Sequence, residues 1–519
     1  MARYLITTPI FYVNARPHIG HVYSAVLADS LARFHRLNGA AQVRLSTGTD
    51  EHGNKILDAA KEAGRPPTLF CDHVSQTFRN AFAKVNVAAD EFIRTTGERH
   101  RHAVERFWKT LRKGKQIYLG EHSGWYCRSD ECFVPSGQVE EDQYGVMVAR
   151  GTAKRVEWVS EPNYRFKLSE FKDPLRGWLK DIDPIRPIQY QQDMLKLLDG
   201  DLQDISVSRL ASNAPWGISV PNDPKHTIYV WLDALVSYLT AAGYPDKMDP
   251  WPPIQIIGKD IVKFHCLYWP AFLMAAGLDP PMQIISHGHW KMSGMKMSKS
   301  IGNVIGVDEL VESLGGDDAT RYFMLRHASV DHDLDFDIDV AIRCVNHDLA
   351  DQLGNLYARA LPLLPSDLNE TTIRDLIASA SVEPDLKLAM RTLPDLVVTH
   401  YTKADFHRGL QTIAEMIALA NQWFSKCAPW SSACPQDQRG SVAVQIMECC
   451  RVAGILLQPV VPDLAARLLT HLGVPAAHRT FSDCSSGWQG DGPQCRAKFS
   501  LFQRLPEKPR RKMTGAAAG

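Results

Sequence analysis

Two short stretches carry side chains whose types and spacing suit the handling of a polyphosphate. The first, His18-Ile19-Gly20-His21, follows a strand and a turn and opens a helix. A helix N-terminus offers unpaired N–H groups and the positive end of the helix dipole, which suits a phosphate chain. Gly20 lets a ligand approach the backbone, and imidazoles at i and i+3 can donate to phosphate oxygens. The same two histidines would equally cap a helix that meets no ligand. The second stretch, Lys296-Met297-Ser298-Lys299-Ser300, lies in a loop that begins at Gly294. Two lysines and two serines beside a glycine turn would make a mobile cationic lid, stabilising charge as pyrophosphate leaves a triphosphate. An ordinary exposed basic loop is the plain alternative.

Alternating strand and helix must position these groups. Residues 4–8 read as a strand, followed by a turn of special residues from Pro9 to Gly20. A helix then carries Tyr23, Leu27, Leu31 and Phe34 on one periodic face and stops near Asn38-Gly39. The next strand, 42–46, ends in Thr47-Gly48-Thr49-Asp50-Glu51-His52-Gly53. This is a βαβ unit, and ligands in such sheets sit at the carboxyl ends of the strands, where 17–21 and 47–53 both fall. A second alternating block spans 227–304, with buried strands expected at 227–230, 254–257 and 283–286. Between the blocks, 120–222 is irregular and rich in Trp, Pro and charge. From about Val340 strand signals vanish and helical patterns take over at 349–364, 386–404, 406–424 and 442–457.

The expected architecture is α/β: a Rossmann-like nucleotide-binding catalytic domain with a connective insertion, followed by an all-α bundle. The expected boundaries are 1–119 and 223–340 for the two catalytic halves and 120–222 for the insertion. They continue with 341–500 for the helical domain and 501–519 for a basic, disordered tail.

Composition bounds the partners. The chain has 519 residues, 45% hydrophobic and 22% charged, enough for about three domains with a sizeable core. Lys plus Arg equals Asp plus Glu at 58 each, so no global field attracts a polyanion, and RNA binding would need local basic patches. Eleven scattered cysteines argue against a disulfide framework and for a reducing compartment. No apolar run suggests a membrane span. A strand begins almost at the first residue, so an N-terminal address is either not needed or not part of this sequence.

The two phosphate stretches together resemble the HIGH and KMSKS signatures of the class I aminoacyl-tRNA synthetases, unsubstituted, in order and on the matching fold halves. Thr7-Thr8-Pro9-Ile10-Phe11-Tyr12-Val13-Asn14, the 49–53 segment, Tyr229-Val230-Trp231-Leu232-Asp233-Ala234 and Gly258-Lys259-Asp260-Ile261 look like the methionyl-tRNA synthetase family. The resemblance covers nearly the whole chain and is weakest in the insertion and near the C-terminus. It implies a methionine pocket lined by Ile10, Tyr12, Asp50, Trp231, Ala234, Tyr238, His265 and Trp269. There Asp50 would hold the substrate ammonium, and Tyr12, Trp231 and Trp269 would box the thioether. Each aromatic taken singly would fit a core role as well. Leu235 departs from relatives that carry proline beside the pocket alanine.

For ATP the resemblance implies His18, Gly20, His21, Gly258, Asp260 and Lys299, with His18, His21, Lys296 and Lys299 as the catalytic, charge-stabilising set. In the helical region Asn355, Arg359 and Trp430 match anticodon-binding positions, with Trp430 as a stacking platform. Without the synthetase half, an ordinary helix and a core tryptophan would explain them.

Cys127 and Cys132 form a C-x4-C pair in a region where many methionyl-tRNA synthetases carry a zinc knuckle. The next cysteine is Cys266, so four ligands do not assemble and no structural zinc is expected.

The implied function is methionine–tRNA ligation, with ATP, Mg2+, methionine and tRNA(Met) as cofactors and partners. The chain would act as a monomer without a membrane. Synthetases for leucine, isoleucine or valine would need a larger editing insertion, and the cysteine enzyme would need zinc. A small-molecule nucleotidyltransferase would not need the helical bundle, and a non-catalytic RNA-binding paralogue would be free to lose the phosphate signatures. The insertion and the missing zinc ligands look most like mitochondrial enzymes, which implies the mitochondrial matrix, with a bacterial cytoplasm as the alternative.

Overall fold

The computed structural model describes residues 2–128, 131–134, 136–150, 152–292, 294–296, 305–493 and 499–507. Lys299 and the rest of 297–304 lie outside these residues, as does 508–519, which takes in most of the expected tail. The chain forms two compact units. One comprises Met1–Ala32, Ala40–Ala83 and Val87–His289, the other Arg33–Gly39, Lys84–Asn86 and Trp290–Gly519.

The first unit is built on β1 (Arg3–Tyr12), α1 (Ile19–Leu37), β2 (Gln42–Asp50), α2 (Asn54–Glu62), α3 (Pro67–Lys84), β3 (Glu91–Arg94) and α4 (Glu98–Lys113). Leu5 and Ile6 of β1 are fully buried, as expected of a central parallel strand covered on both faces. α1 ends at Leu37 and Gly39 follows with φ 82, the left-handed stop that Asn38-Gly39 announced.

The insertion opens with β4 (Ile117–Cys127), β5 (Cys132–Val134), β6 (Val139–Glu141), β7 (Met147–Ala149), β8 (Lys154–Arg155) and β9 (Glu157–Phe166). It was expected to be irregular; instead β4 and β9 form an unbroken antiparallel ladder from Ile117↔Phe166 to Tyr126↔Glu157. After it come α5 (Lys172–Ile182), β10 (Ile185–Arg186), α6 (Ile188–Leu197), β11 (Ile205–Ser206), β12 (Ser208–Leu210), β13 (Ser219–Val220) and β14 (Asp223–Ile228).

The unit closes with α7 (Val230–Ala242), β15 (Ile254–Gly258), a π-helical turn at Phe264–Tyr268, α8 (Trp269–Ala275) and β16 (Gln283–His287). The six-stranded sheet runs β10-β16-β15-β1-β2-β3, every neighbouring pair parallel. Chain direction across the sheet reverses between β15 and β1, the switch point at which such sheets bind ligands.

The second unit starts with β17 (Trp290–Met292), β18 (Met295–Lys296), α9 (Val307–Ser313), α10 (Asp317–His327) and β19 (Leu334–Asp335). Among the described residues all later elements are helical: α11 (Ile338–Val345), a π-helical stretch Asn346–Gly354, α12 (Asn355–Ala360), α13 (Glu370–Ser379), α14 (Pro384–Thr402), α15 (Phe406–Cys427), α16 (Gln436–Leu457) and α17 (Pro462–His471). The single helix expected over 349–364 is thus a wide turn, then α12, then a 3-10 turn at Leu361–Leu363. Gly409 lets α15 close on α14, since a Cβ there would lie 2.4 Å from the Tyr401 ring. Against expectation, Gln438–Leu457 is long and apolar enough to cross a membrane, but its most apolar 18 residues are wholly buried, as in a core helix of the bundle.

Candidate active site

The carboxyl ends of β1, β2, β15 and β16 carry Tyr12, Asp50, Gly258 and His287 along one edge of the sheet. Tyr12 and Asp50 are direct register partners, and Ile10 pairs with Gly48. A Cβ at Gly48 would lie 2.1 Å from the Ile93 carbonyl oxygen of β3 and 2.9 Å from the Ile10 side chain of β1, so glycine is required where β2 runs between its two neighbours. At Gly258 a Cβ would lie 2.9 Å from Asp260 Oδ1, which also sits 3.2 Å from His289 Nε2.

His18 and His21 begin α1 with ring centroids 4.0 Å apart. Gly20 N–H donates to His18 Nδ1 at 3.1 Å and His18 N–H to His21 Nδ1 at 3.2 Å. Both Nδ1 atoms therefore act as acceptors, so a neutral ring keeps its proton on Nε2 and presents an Nε2–H donor. The capping and phosphate readings are thus compatible: Nδ1 of each ring accepts at the helix end, and Nε2 carries the proton. Phe11 and Phe78 flank His21 edge-on, at 5.2 Å and 5.3 Å.

Asp50 is 3% exposed, and among the described residues its carboxylate accepts only the His52 N–H, at 3.4 Å. Burial, then the charges of Asp233 and Glu131, push its carboxyl well above the usual range. A buried carboxylate so poorly solvated favours a proton or an incoming cation. Burial together with Asp50 and Glu131 raises the Tyr12 phenol further, so it stays neutral. Tyr12 Oη, Trp231 Nε1 and Trp269 Nε1 are buried without a hydrogen-bond partner among the described residues, as suits groups that line a ligand site.

α7 supplies Trp231, Ala234 and Tyr238, and the π-helical turn and α8 supply His265 and Trp269. Trp231 stacks on Phe264 at 3.7 Å and 13°. His265 Nδ1 lies 3.0 Å from the Ile261 carbonyl, so it carries the proton, and Nε2 accepts the Tyr238 hydroxyl at 2.7 Å. Burial lowers the His265 pKa to about 4, so the imidazole is neutral at pH 7. No ring contact joins Tyr12, Trp231 and Trp269 among the described residues; walls around a ligand would not touch. The wide π turn sets His265 and Trp269 against α7, and such turns mark functional sites.

Two groups were not singled out from the sequence. Asp233, 1% exposed, binds His52 Nδ1 at 2.6 Å and His100 Nε2 at 2.8 Å, and His100 Nδ1 meets Thr240 Oγ1 at 2.9 Å. Burial alone would raise the Asp233 pKa; His52 and His100 bring it down to about 2. Glu131, 3% exposed, reaches from the insertion to accept Lys55 N–H at 2.6 Å. Both were visible only as polar residues in otherwise apolar or loop segments, because their partners are remote in sequence.

In the second unit, Lys296 pairs through its backbone with Lys291 in the β17–β18 hairpin. There Arg359 lies 4.7 Å from the centre of the Trp430 ring and 5.1 Å from that of Phe424, and Phe424 meets Trp430 edge-on at 5.4 Å. Trp430 is 50% exposed, so one aromatic face is available beside a cation. Asn355 is exposed one turn earlier on α12. Among the described residues no group of three or more His, Cys, Asp or Glu gathers as a metal site. Cys127 and Cys132 are register partners across β4 and β5.

Residues 4–361 match the family model described as "tRNA synthetases class I (M)". The mitochondrial methionine–tRNA ligase of Homo sapiens is 42% identical over 510 residues, spanning 93% of this chain and 86% of that protein. Methionine–tRNA ligase of Rickettsia typhi is 39% identical over 490 residues, 92% of this chain and 94% of that protein. The solved methionyl-tRNA synthetase of Mycobacterium tuberculosis in complex with methionyl-adenylate superimposes with a TM-score of 0.88 at 34% identity, over 97% of this chain and all of that one. With a parallel sheet whose switch-point edge carries the His18–His21 pair and a buried carboxylate among aromatics, the chain belongs to the methionyl (M) family of class I aminoacyl-tRNA synthetases.

Proposed function

We propose that the chain carries out methionine–tRNA ligation with the residues gathered at this edge. Methionine's ammonium binds Asp50, exchanging a long hydrogen bond for a charge-assisted one. Its thioether lies among Tyr12, Trp231, Ala234, Tyr238, His265 and Trp269, with Ile10 beside them. ATP enters as its Mg2+ complex, its phosphates over His18, Gly20 and His21, and its nucleoside end by Gly258 and Asp260. The methionine carboxylate attacks the α-phosphate, forming methionyl-adenylate and releasing pyrophosphate. The Nε2–H groups of His18 and His21 donate to the charge that builds on the phosphates. Lys296 and Lys299 are assigned to the same task on their sequence alone. No covalent bond to the protein is needed, so catalysis is positioning plus electrostatics. The terminal ribose hydroxyl of tRNA(Met) then attacks the adenylate carbonyl, releasing AMP.

The observation that carries this reading is the pairing of buried, under-solvated Asp50 with Tyr12 in adjacent strand ends. ATP–pyrophosphate exchange across a panel of amino acids tests it: exchange is expected with methionine, and exchange with leucine or cysteine instead would overturn the assignment. In the second unit, Asn355, Arg359 and Trp430 are proposed to read the anticodon. The proposed working form is a monomer in the mitochondrial matrix, and the likeness to a bacterial relative keeps a bacterial cytoplasm as the second reading. An Arg- and Ser-rich, acidic-poor segment upstream in the gene would support the first.

A further inference from the structure

We infer that Glu131, at the tip of the insertion's β4–β5 hairpin, is a positioning residue for Asp50 and so for the substrate's ammonium group. The inference rests on the methionine-activation reading above.

α2 starts immediately after Gly53, which has φ 103 and offers no side-chain cap. The missing cap comes from 76 residues away, where Glu131 Oε1 accepts Lys55 N–H at 2.6 Å. Gly53 keeps the space open: a Cβ there would lie 2.3 Å from Glu131 Oε2. The main-chain carbonyl of Glu131 accepts the Tyr229 hydroxyl, and Tyr229 immediately precedes α7. Arg128 adds an exposed pair to Asp58 of α2 at 3.1 Å, a minor tie. One buried residue thus fastens the turn that carries Asp50 and His52 to the helix that carries Trp231 and Ala234, the two sides of the methionine pocket.

A neutral amide would also cap a helix, so the carboxylate needs its own reason. The groups facing Asp50 are Tyr12 from β1, Glu51 and His52 from its own turn, Asp233 from α7 and Glu131 from the hairpin. Lys55 of α2 faces Glu131 and stands 5.4 Å from the centre of the Tyr12 ring. Glu131 and Asp233 therefore add negative potential where the ammonium must enter. Glu131 does two separable things: it fixes the turn, and it makes the pocket more attractive to a cation. Glu131→Ala removes both, whereas Glu131→Gln keeps an acceptor for Lys55 and removes only the charge.

The test is methionine-dependent ATP–pyrophosphate exchange by the full chain from pH 5 to 9, with KM measured for each substrate. E131A is expected to raise KM for methionine about five- to tenfold and leave KM for ATP within about twofold. E131Q is expected to move the acidic limb of kcat/KM for methionine down by about half to one pH unit, because Asp50 ionises more readily beside a neutral neighbour. A cap that is merely structural would not move that limb. An unmoved limb in E131Q overturns the inference, as does an E131A variant that changes both KM values alike or neither. Should E131A fail to fold, E131Q decides. If the wild-type chain shows no methionine-dependent exchange, the functional reading falls first; wild-type exchange with unaltered variants removes this inference alone.

Discussion

Asp50 sits buried with one long hydrogen bond among the described residues and three anionic neighbours, an arrangement that costs folding free energy and serves binding. The sign follows from linkage. A carboxyl whose pKa is raised on folding holds its proton where the unfolded chain has lost it, so above the ordinary carboxylate range it lowers stability. Asp50→Asn is therefore expected to raise the thermal midpoint of the ligand-free protein at pH 7. The same change leaves the ammonium without a counter-charge and should lower kcat/KM for methionine by about a hundred- to a thousandfold. A lower midpoint by scanning calorimetry, or near-normal exchange, would remove Asp50 from the role. Its identity was readable through family resemblance, because it ends β2 within the 49–53 segment. The groups that tune it were not. Glu131 and Asp233 act through contacts spanning 76 residues to Lys55 and 181 to His52, and no local pattern records such a contact.

Among the elements, the regular ones were legible because burial imposed a period. α1 and α15 place apolar residues at helical spacing, and β1 reads as a continuous buried run. The β4–β9 ladder was not legible, since its exposed stretch sets Glu121 and Ser123 opposite Pro162 and Ser160, with little apolar alternation to detect. The π-helical turns at Phe264–Tyr268 and Asn346–Gly354 hide for a related reason, because their extra residue per turn breaks the expected spacing. The wide turn before α12 leads into the helix that presents Arg359 beside Trp430. If that pair reads an unstacked base, Trp430→Ala should raise KM for tRNA about ten- to a hundredfold while leaving ATP–pyrophosphate exchange near wild type. Aminoacylation and exchange measured side by side decide it; a parallel loss of both would point to damaged folding instead.

At the scale of the whole molecule, buried histidines tie stability to pH. Burial lowers His122, His265 and His287 of the first unit to about 4. The unfolded chain protonates them near 6.5, so unfolding takes up protons between about 6.5 and 4, and their contribution is full above that window and lost through it. Asp50 and Glu131, raised rather than lowered, act in the opposite sense and soften the slope. The thermal midpoint of the first unit is expected to fall by roughly 5 °C between pH 7 and pH 5, and a flat profile by calorimetry would contradict it. The α/β class, the switch-point edge and the helical second half were all legible from periodicity and motif order. The hydrogen bonds that fasten the insertion to the pocket were not, since they depend on register. That register makes the tip of the hairpin intolerant of one kind of genetic change. Cys127 and Cys132 pair across the strands with four residues between them. A one-codon deletion or insertion there would shift the alternation and swing Glu131 away from α2, whereas substitutions along the exposed outer face would leave its aim intact. A survey of frame-preserving length variants against point variants would thus find the hairpin permissive in composition and strict in count.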